Sequence, residues 1–175
     1  MKRNNQKPAI KNAAILIRSV EISKPVDTVF DYIIYDLKDN YKAMTEDHIK
    51  YELLNSEYLK EGTEIDCREK AGNQTVYHHY KVEKIISNEH IFYLSSPSKV
   101  FIELPRKTIE SHSNTYCYYN FKKIDNFTTS LQLTIAIQFD NGFQKFFSTL
   151  FGGIKPWKKH QKEEMEKLKE LIENN

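Results

Sequence analysis

The 175 residues carry 26 basic and 24 acidic side chains, a formal charge of +2, with only 5 Gly, 5 Pro and 2 Cys. One domain is expected at that length, and collagen-like, low-complexity and disulfide-framework architectures are excluded because each needs one of the three scarce residues in excess. A near-neutral charge with no large block of one sign also gives nucleic acid or an anionic membrane little to grip, so no nucleic-acid partner is expected.

The mildly basic start (Lys2, Arg3, Lys7, Lys11) reads as a flexible tail over residues 1–12, with a single domain over 13–175. The apolar run Ala13 to Ile17, closed by Arg18, is shorter than the roughly 7–15 residues of a secretory core, and nothing approaches the about 20 apolar residues of a membrane span. The expected location is the cytoplasm, with Cys67 and Cys117 as reduced thiols.

Ile15 to Ser23 is rich in β-branched residues and ends at Lys24-Pro25, where the residue before proline is pushed to extended geometry and proline suits a first helical turn. Val26, Val29, Phe30, Ile33, Ile34 and Leu37 then follow helical spacing, so a short helix or helix pair is predicted to end near Lys42 or Met44. An antiparallel meander follows: Ile49 to Leu54, Thr63 to Lys70, Thr75 to Ile86, His90 to Ser95, Lys99 to Glu110, Tyr116 to Ile124 and Thr129 to Phe139, about eight strands with the first. The last strand alternates most clearly, with Leu131, Leu133, Ile135, Ile137 and Phe139 on one face.

Asp140-Asn141-Gly142 opens a long terminal helix whose stripe runs Phe143, Phe146, Phe147, Leu150, Phe151, Ile154, Trp157, Met165, Leu168 and Leu171, missing a beat at Gln161. Gly152-Gly153 and Pro156 predict a kink or break within it. Strands clustered in sequence do not form βαβ crossovers, so the fold class is α+β, a curved antiparallel sheet packed on the last helix.

Parity assigns faces where charges alternate. Val76, His78, Tyr80 and Val82 face inward on Thr75 to Ile86, opposite Tyr77, His79, Lys81 and Glu83; Ile65 and Cys67 face inward on the preceding strand, and Val100, Ile102 and Leu104 oppose Phe101 and Glu103. Tyr116 to Ile124 depends on the turn around Asn126-Phe127. A two- or four-residue turn sets Tyr116, Tyr118 and Asn120 beside Ile137, Ile135 and Leu133, and is preferred here; a three-residue turn substitutes Cys117, Tyr119 and Phe121. Glu69 either falls on the inward face of its strand near the edge or is a solvated rim carboxylate, and the second is preferred here. His48, His78, His79, His90, His112 and His160, with two distant cysteines, show no CxxC or HExxH spacing, so neither a metal site nor a cofactor is expected.

Ser19 to Ile33 (SVEISKPVDTVFDYI), Tyr80 to Ile91 (YKVEKIISNEHI) and Leu168 to Glu173 (LKELIE), in this order and spacing, resemble the START-like, or SRPBCC, superfamily across roughly residues 13 to 173. The resemblance implies a helix-grip fold with a cavity between sheet and terminal helix. Family members bind lipids, sterols, quinones or polyketides there, and some act as cyclases or dehydratases, with no universal catalytic motif. On that basis the expected partner is a hydrophobic small molecule, held by Ile65, Cys67, His78, Tyr80, Ile102, Tyr118, Leu133, Ile135, Phe147 and Phe151.

Three readings stay open. The chain is a carrier of such a ligand; or a cyclase or dehydratase in which His78 and Tyr80 handle the protons of an enolate; or an interaction module using exposed aromatics such as Tyr77 and Tyr119. For His78 and Tyr80 the plain alternative is a hydrogen-bonded core pair. The terminal aromatic stripe is either packed core or cavity wall. Aromatics make up 13% of a chain that is only 39% hydrophobic, so this last choice decides what most of the aromatic surplus is for.

Overall fold

The computed structural model describes residues 10–142 and 153–175. Residues 1–9 of the expected tail lie outside it, and Asn12 already takes part in the fold: its carbonyl accepts the Phe139 N–H at 3.2 Å. The first strand, β1 (Ala13–Ile22), gives way at Pro25 to α1 (Val26–Asp31), whose first turn is closed by Val29 N–H bonding to the Pro25 carbonyl at 3.1 Å. Next come three buried residues in succession, Tyr32, Ile33 and Ile34. At 3.6 residues per turn an ordinary helix cannot face all three to one core. A π-helical turn (Tyr32–Asp36) widens the helix there before α2 (Leu37–Met44), and the Ile34 carbonyl takes the N–H of Leu59 at 3.0 Å.

The remaining strands are β2 (His48–Leu53), β3 (Glu64–Ala71), β4 (Gln74–Ile86), β5 (His90–Leu104), β6 (Lys107–Lys123) and β7 (Thr129–Gln138). They form a seven-stranded sheet in the order β1-β7-β6-β5-β4-β3-β2 with every neighbour antiparallel, a meander with β1 added beside its last strand. The terminal helix, α3 (Lys155–Asn174), covers the inner face of this sheet. Met165, Leu168 and Ile172 are at most 1% exposed and share one core with Ile22, Val29, Phe30, Leu131 and Leu133. The architecture is the expected α+β helix grip.

Pro156 sits in the first turn of α3, where its missing N–H costs no hydrogen bond, so it starts the described helix instead of kinking it. Its ring also packs where only a glycine fits: a Cβ on Gly72, which has φ +62°, would lie 3.2 Å from Pro156 Cγ. The β3–β4 turn thereby seats the start of α3. At the other end, the Glu173 carboxylate accepts the Ser23 N–H at 2.7 Å, and Arg18 donates to Glu166 at 2.9 Å.

Two expectations about strands are corrected. The separate strands His90 to Ser95 and Lys99 to Glu110 are parts of two longer ones. The ladder shifts register between Ser95 and Ser98, around Pro97, which has no N–H to give it; the true reversal is the two-residue turn Pro105-Arg106. The preferred face of β6 is also reversed. Ile124 N–H bonds to the Thr128 carbonyl at 3.0 Å around a three-residue loop in which Asp125 Oδ1 accepts the Phe127 N–H, so Cys117, Tyr119 and Phe121 lie opposite Ile135, Leu133 and Leu131.

Candidate ligand cavity

Between the inner face of the sheet and α3 lies a cavity of about 120 Å³. Its apolar part is a distinct cluster: Leu16, Val76, Ile154 and Trp157, with Val100, Ile135, Ile137 and Phe139 packed against them. The Trp157 indole N–H donates to Gln74 Oε1 at 2.9 Å, and Gln74 passes a bond on to the Gly153 carbonyl at 2.8 Å, which fixes the helix start over this wall.

The other part is lined by tyrosines and ionisable groups: Tyr41, Tyr51, Tyr80, Tyr93, Tyr119, Cys67, Glu69, His78 and Glu164. Burial pushes the Cys67 thiol well above its ordinary range, so it is an unreactive one. The hydroxyls of Tyr51 and Tyr93 are buried and stand against each other, near enough for each to perturb the other through a hydrogen bond, and neither has a further partner of good geometry among the described residues. Buried hydroxyls in native proteins are nearly always bonded, and when two face each other only one O–H can donate to its neighbour, so one donor on this wall is left over.

His78 stacks on Tyr80 with ring centroids 4.7 Å apart, and its Nδ1 shares a hydrogen bond of 2.7 Å with Ser98 Oγ. Ser98 also meets Ser95 Oγ at 2.7 Å and Thr115 Oγ1 at 3.3 Å. Without the bulge, residues three apart on a strand would face opposite ways; with it, Ser95 and Ser98 are both fully buried inside. Burial pushes the His78 pKa down to about 4, against the opposing pull of Glu69, so the ring is neutral in neutral solution.

Beside the cavity, Tyr41, His48, Cys67, Glu69, His160 and Glu164 form one polar cluster. The Tyr41 hydroxyl donates to Glu69 Oε1, Cys67 Sγ–H donates to the same oxygen at 3.2 Å, and the Tyr41 ring stacks on His48 at 3.9 Å. Burial alone would raise the Glu69 pKa, but His48, His78, His160 and the Tyr41 hydroxyl outweigh it and hold the carboxyl below its ordinary range. Glu164 goes the other way, pushed well up by burial and then by the charge of Glu69.

Of the sequence-predicted residues, Cys67, His78, Tyr80, Ile102, Leu133 and Ile135 lie on the cavity wall. Ile65 does not: it is 0% exposed in the main core. Tyr118 is on the opposite face of the sheet, stacked on Phe92 at 4.6 Å, a consequence of the β6 register. Phe147 and Phe151 lie outside the described residues, as do Phe143, Phe146 and Leu150, so the first half of the expected aromatic stripe has no placement. Glu69 is not a solvated rim group; its side chain is 15% exposed and faces inward. Of the two aromatics assigned to an interaction surface, Tyr119 is 3% exposed inside the core and Tyr77 lies beneath the Arg68 guanidinium at 4.1 Å.

No protein-family model and no curated protein matches the chain. Solved structures do. One is an aromatase/cyclase, Zhui, from a Streptomyces species (TM-score 0.62, 12% identity, covering 92% of this chain and 94% of that one). Another is the KanY protein (TM-score 0.63, 14% identity, 91% and 97%). A third is the major latex-like protein 151 from Panax ginseng (TM-score 0.57, 10% identity, 85% and 97%). The chain has the START-like fold. The likeness runs over 85–92% of this chain and 94–97% of the others, so the curved sheet and the helix packed on it belong to the shared fold. No helix among the described residues is long and apolar enough to cross a membrane.

Proposed function

We propose that this START-like chain binds a hydrophobic small molecule of the lipid, quinone or polyketide-like kind, its apolar body against Leu16, Val76, Ile137 and Trp157 and a carbonyl or hydroxyl at the tyrosine end. The observation that carries this is the facing hydroxyl pair of Tyr51 and Tyr93, with one O–H donor left over, at the polar end of a cavity whose other end is apolar. A ligand oxygen supplies the acceptor that this donor lacks, and it recovers the roughly 1–3 kcal/mol that a buried unsatisfied group costs. A cavity of about 120 Å³ is close to the roughly 150 Å³ that holds one benzene in an engineered protein core, so a single ring or a short chain is the favoured size. Ligand sites of this composition, apolar with a few placed polar groups, are the common kind.

The test is native mass spectrometry of the purified chain with a panel of phenols, quinones and short fatty acids. Binding of a panel member is expected to fall at least about tenfold in Leu133→Trp, which fills the cavity, and about fivefold in Tyr51→Phe, the loss of one net hydrogen bond. Ile17→Trp, on an exposed residue of β1, leaves it unchanged. Binding that survives Leu133→Trp, or a panel with no binder, overturns the reading.

A second reading, cyclase or dehydratase chemistry, is favoured by one observation: His78 and Tyr80 stand together on the cavity wall, their rings stacked at 4.7 Å. It requires turnover of a polyketide-like substrate that falls in both His78→Ala and Tyr80→Phe.

A further inference from the structure

Three side chains far apart in sequence bring ligand atoms into one small volume at the edge of the cavity: His48 from the start of β2, and His160 and Glu164, one turn apart on α3. All three residues are buried, and their ligand atoms lie within 4.8 Å of one another. We propose that they bind a divalent first-row transition ion, zinc or a close relative, through His48 Nε2, His160 Nε2 and a Glu164 carboxylate oxygen.

The geometry of the two imidazoles points to this before any charge is considered. Their Nε2 atoms are 3.2 Å apart. Two nitrogens bound at about 2.0–2.1 Å to one tetrahedral ion stand about 3.3 Å from each other. The far nitrogen of the His48 ring is held as in metal-bound histidines. His48 Nδ1 lies 2.8 Å from the Tyr41 carbonyl, which accepts but cannot donate, so the proton is on Nδ1 and the Nε2 lone pair points inward. His160 Nδ1 is buried without a hydrogen-bond partner and lies 3.7 Å from Asp47 Oδ2; with its proton directed there, its own Nε2 lone pair faces that of His48. At 3.2 Å the two nitrogens are also at hydrogen-bond distance, so without an ion one proton lies between them, and a bound ion takes that proton's place.

The charges fit as well. Once Glu164 gives up its proton on binding, its carboxylate and that of Glu69, whose Oε2 is 3.8 Å from His160 Nε2, together match a dipositive ion, with the Tyr41 hydroxyl and the Cys67 thiol holding Glu69 in place from behind. Two imidazoles and a carboxylate suit zinc, iron, cobalt or nickel better than magnesium or calcium, which prefer all-oxygen sites. Glu164 also lines the cavity. Three protein ligands leave a fourth position open towards it, the arrangement of zinc sites that act on a bound molecule instead of only bracing a fold. This inference goes beyond the ligand-binding proposal and stands whether or not that proposal holds.

The experiment titrates the full chain, stripped with a chelator and dialysed, with Zn²⁺ and with Co²⁺, alone and without organic ligand. One ion per chain is expected. The Co²⁺ form should show visible absorption of low-symmetry coordination, bleached by added Zn²⁺, and Zn²⁺ should raise the thermal midpoint of the wild-type protein. Glu164→Gln keeps the shape of the side chain, and His48→Gln keeps a polar group at the strand start; each is expected to weaken binding at least about tenfold. His79→Ala and His112→Ala, on exposed histidines, should not. Absence of saturable binding to the wild-type chain overturns the site, leaving a proton shared between His48 and His160. Binding lost with His79 or His112 and kept in Glu164→Gln overturns it equally. The wild-type titration decides the matter even if a variant fails to fold.

Discussion

Leu168→Ala is expected to lower the unfolding free energy by about 3–5 kcal/mol, a large share of what holds a domain of this size together. Leu168 is 0% exposed and sits midway along the buried stripe of α3, between Met165 and Ile172. Its loss removes the transfer free energy of the side chain and opens a void, and the size of the second part depends on whether the surroundings can close in. Here they are held. Trp157 is bonded to Gln74 at one end of the helix, Glu173 to the Ser23 N–H at the other, and Gln161 donates to the Leu133 carbonyl at 3.1 Å between them. A helix tied at three places cannot sink onto the sheet to fill the gap, which argues for the upper part of the range. Urea unfolding followed by circular dichroism measures it, with Lys167→Ala on the exposed side as the control, expected to stay within about 0.5 kcal/mol. A change below about 1 kcal/mol for Leu168→Ala would mean that the sheet does not grip the helix as described.

Much of this frame was legible in the sequence because the relevant signals are periodic. On β4 the charges of Lys81 and Glu83 mark one face as wet, and the other face, Val76, His78, Tyr80 and Val82, is the buried one. On β6 there are no such charges between Tyr116 and Phe121, so period two offers two equivalent solutions. The Asp125 side chain settled the matter by shaping a three-residue loop. Pro97 and Pro105 were misleading in opposite ways: the first interrupts the hydrogen-bond ladder without ending the strand, the second is half of a true turn.

The polar cluster shows a different limit. Its histidines are 112 positions apart, so no local motif announces it, and Glu69 next to Lys70 reads as surface. One local signal did exist. The apolar stripe of the terminal helix is interrupted at Gln161, and on the structure His160, Gln161 and Glu164 are all buried there. An interruption of polar residues on the buried side of a helix, with His and Glu spaced four apart, is the mark of a site in a packed face.

Acidification supplies the second large effect. Between pH 7 and pH 4 His78 alone is expected to withdraw about 3 kcal/mol of stability. The sign follows from where the proton goes. Unfolded, the imidazole titrates near its ordinary 6.5; folded, burial pushes it down to about 4, with Glu69 pulling the other way. Between those two values the unfolded chain binds a proton that the folded chain refuses, so the contribution is fully present above about pH 6.5 and is lost as pH falls through the folded value. His78→Phe isolates it. The replacement keeps a ring to stack on Tyr80, and Ser98, deprived of Nδ1, still has Ser95 and Thr115 to bond. Urea unfolding of both chains at pH 7, 5 and 4 should show the wild type losing about 3 kcal/mol relative to the variant, with roughly two-thirds of the loss already present at pH 5. Parallel curves for the two chains would mean that His78 reaches water, or gains its proton inside the fold, and with it would go the dry interior on which the cavity proposal stands.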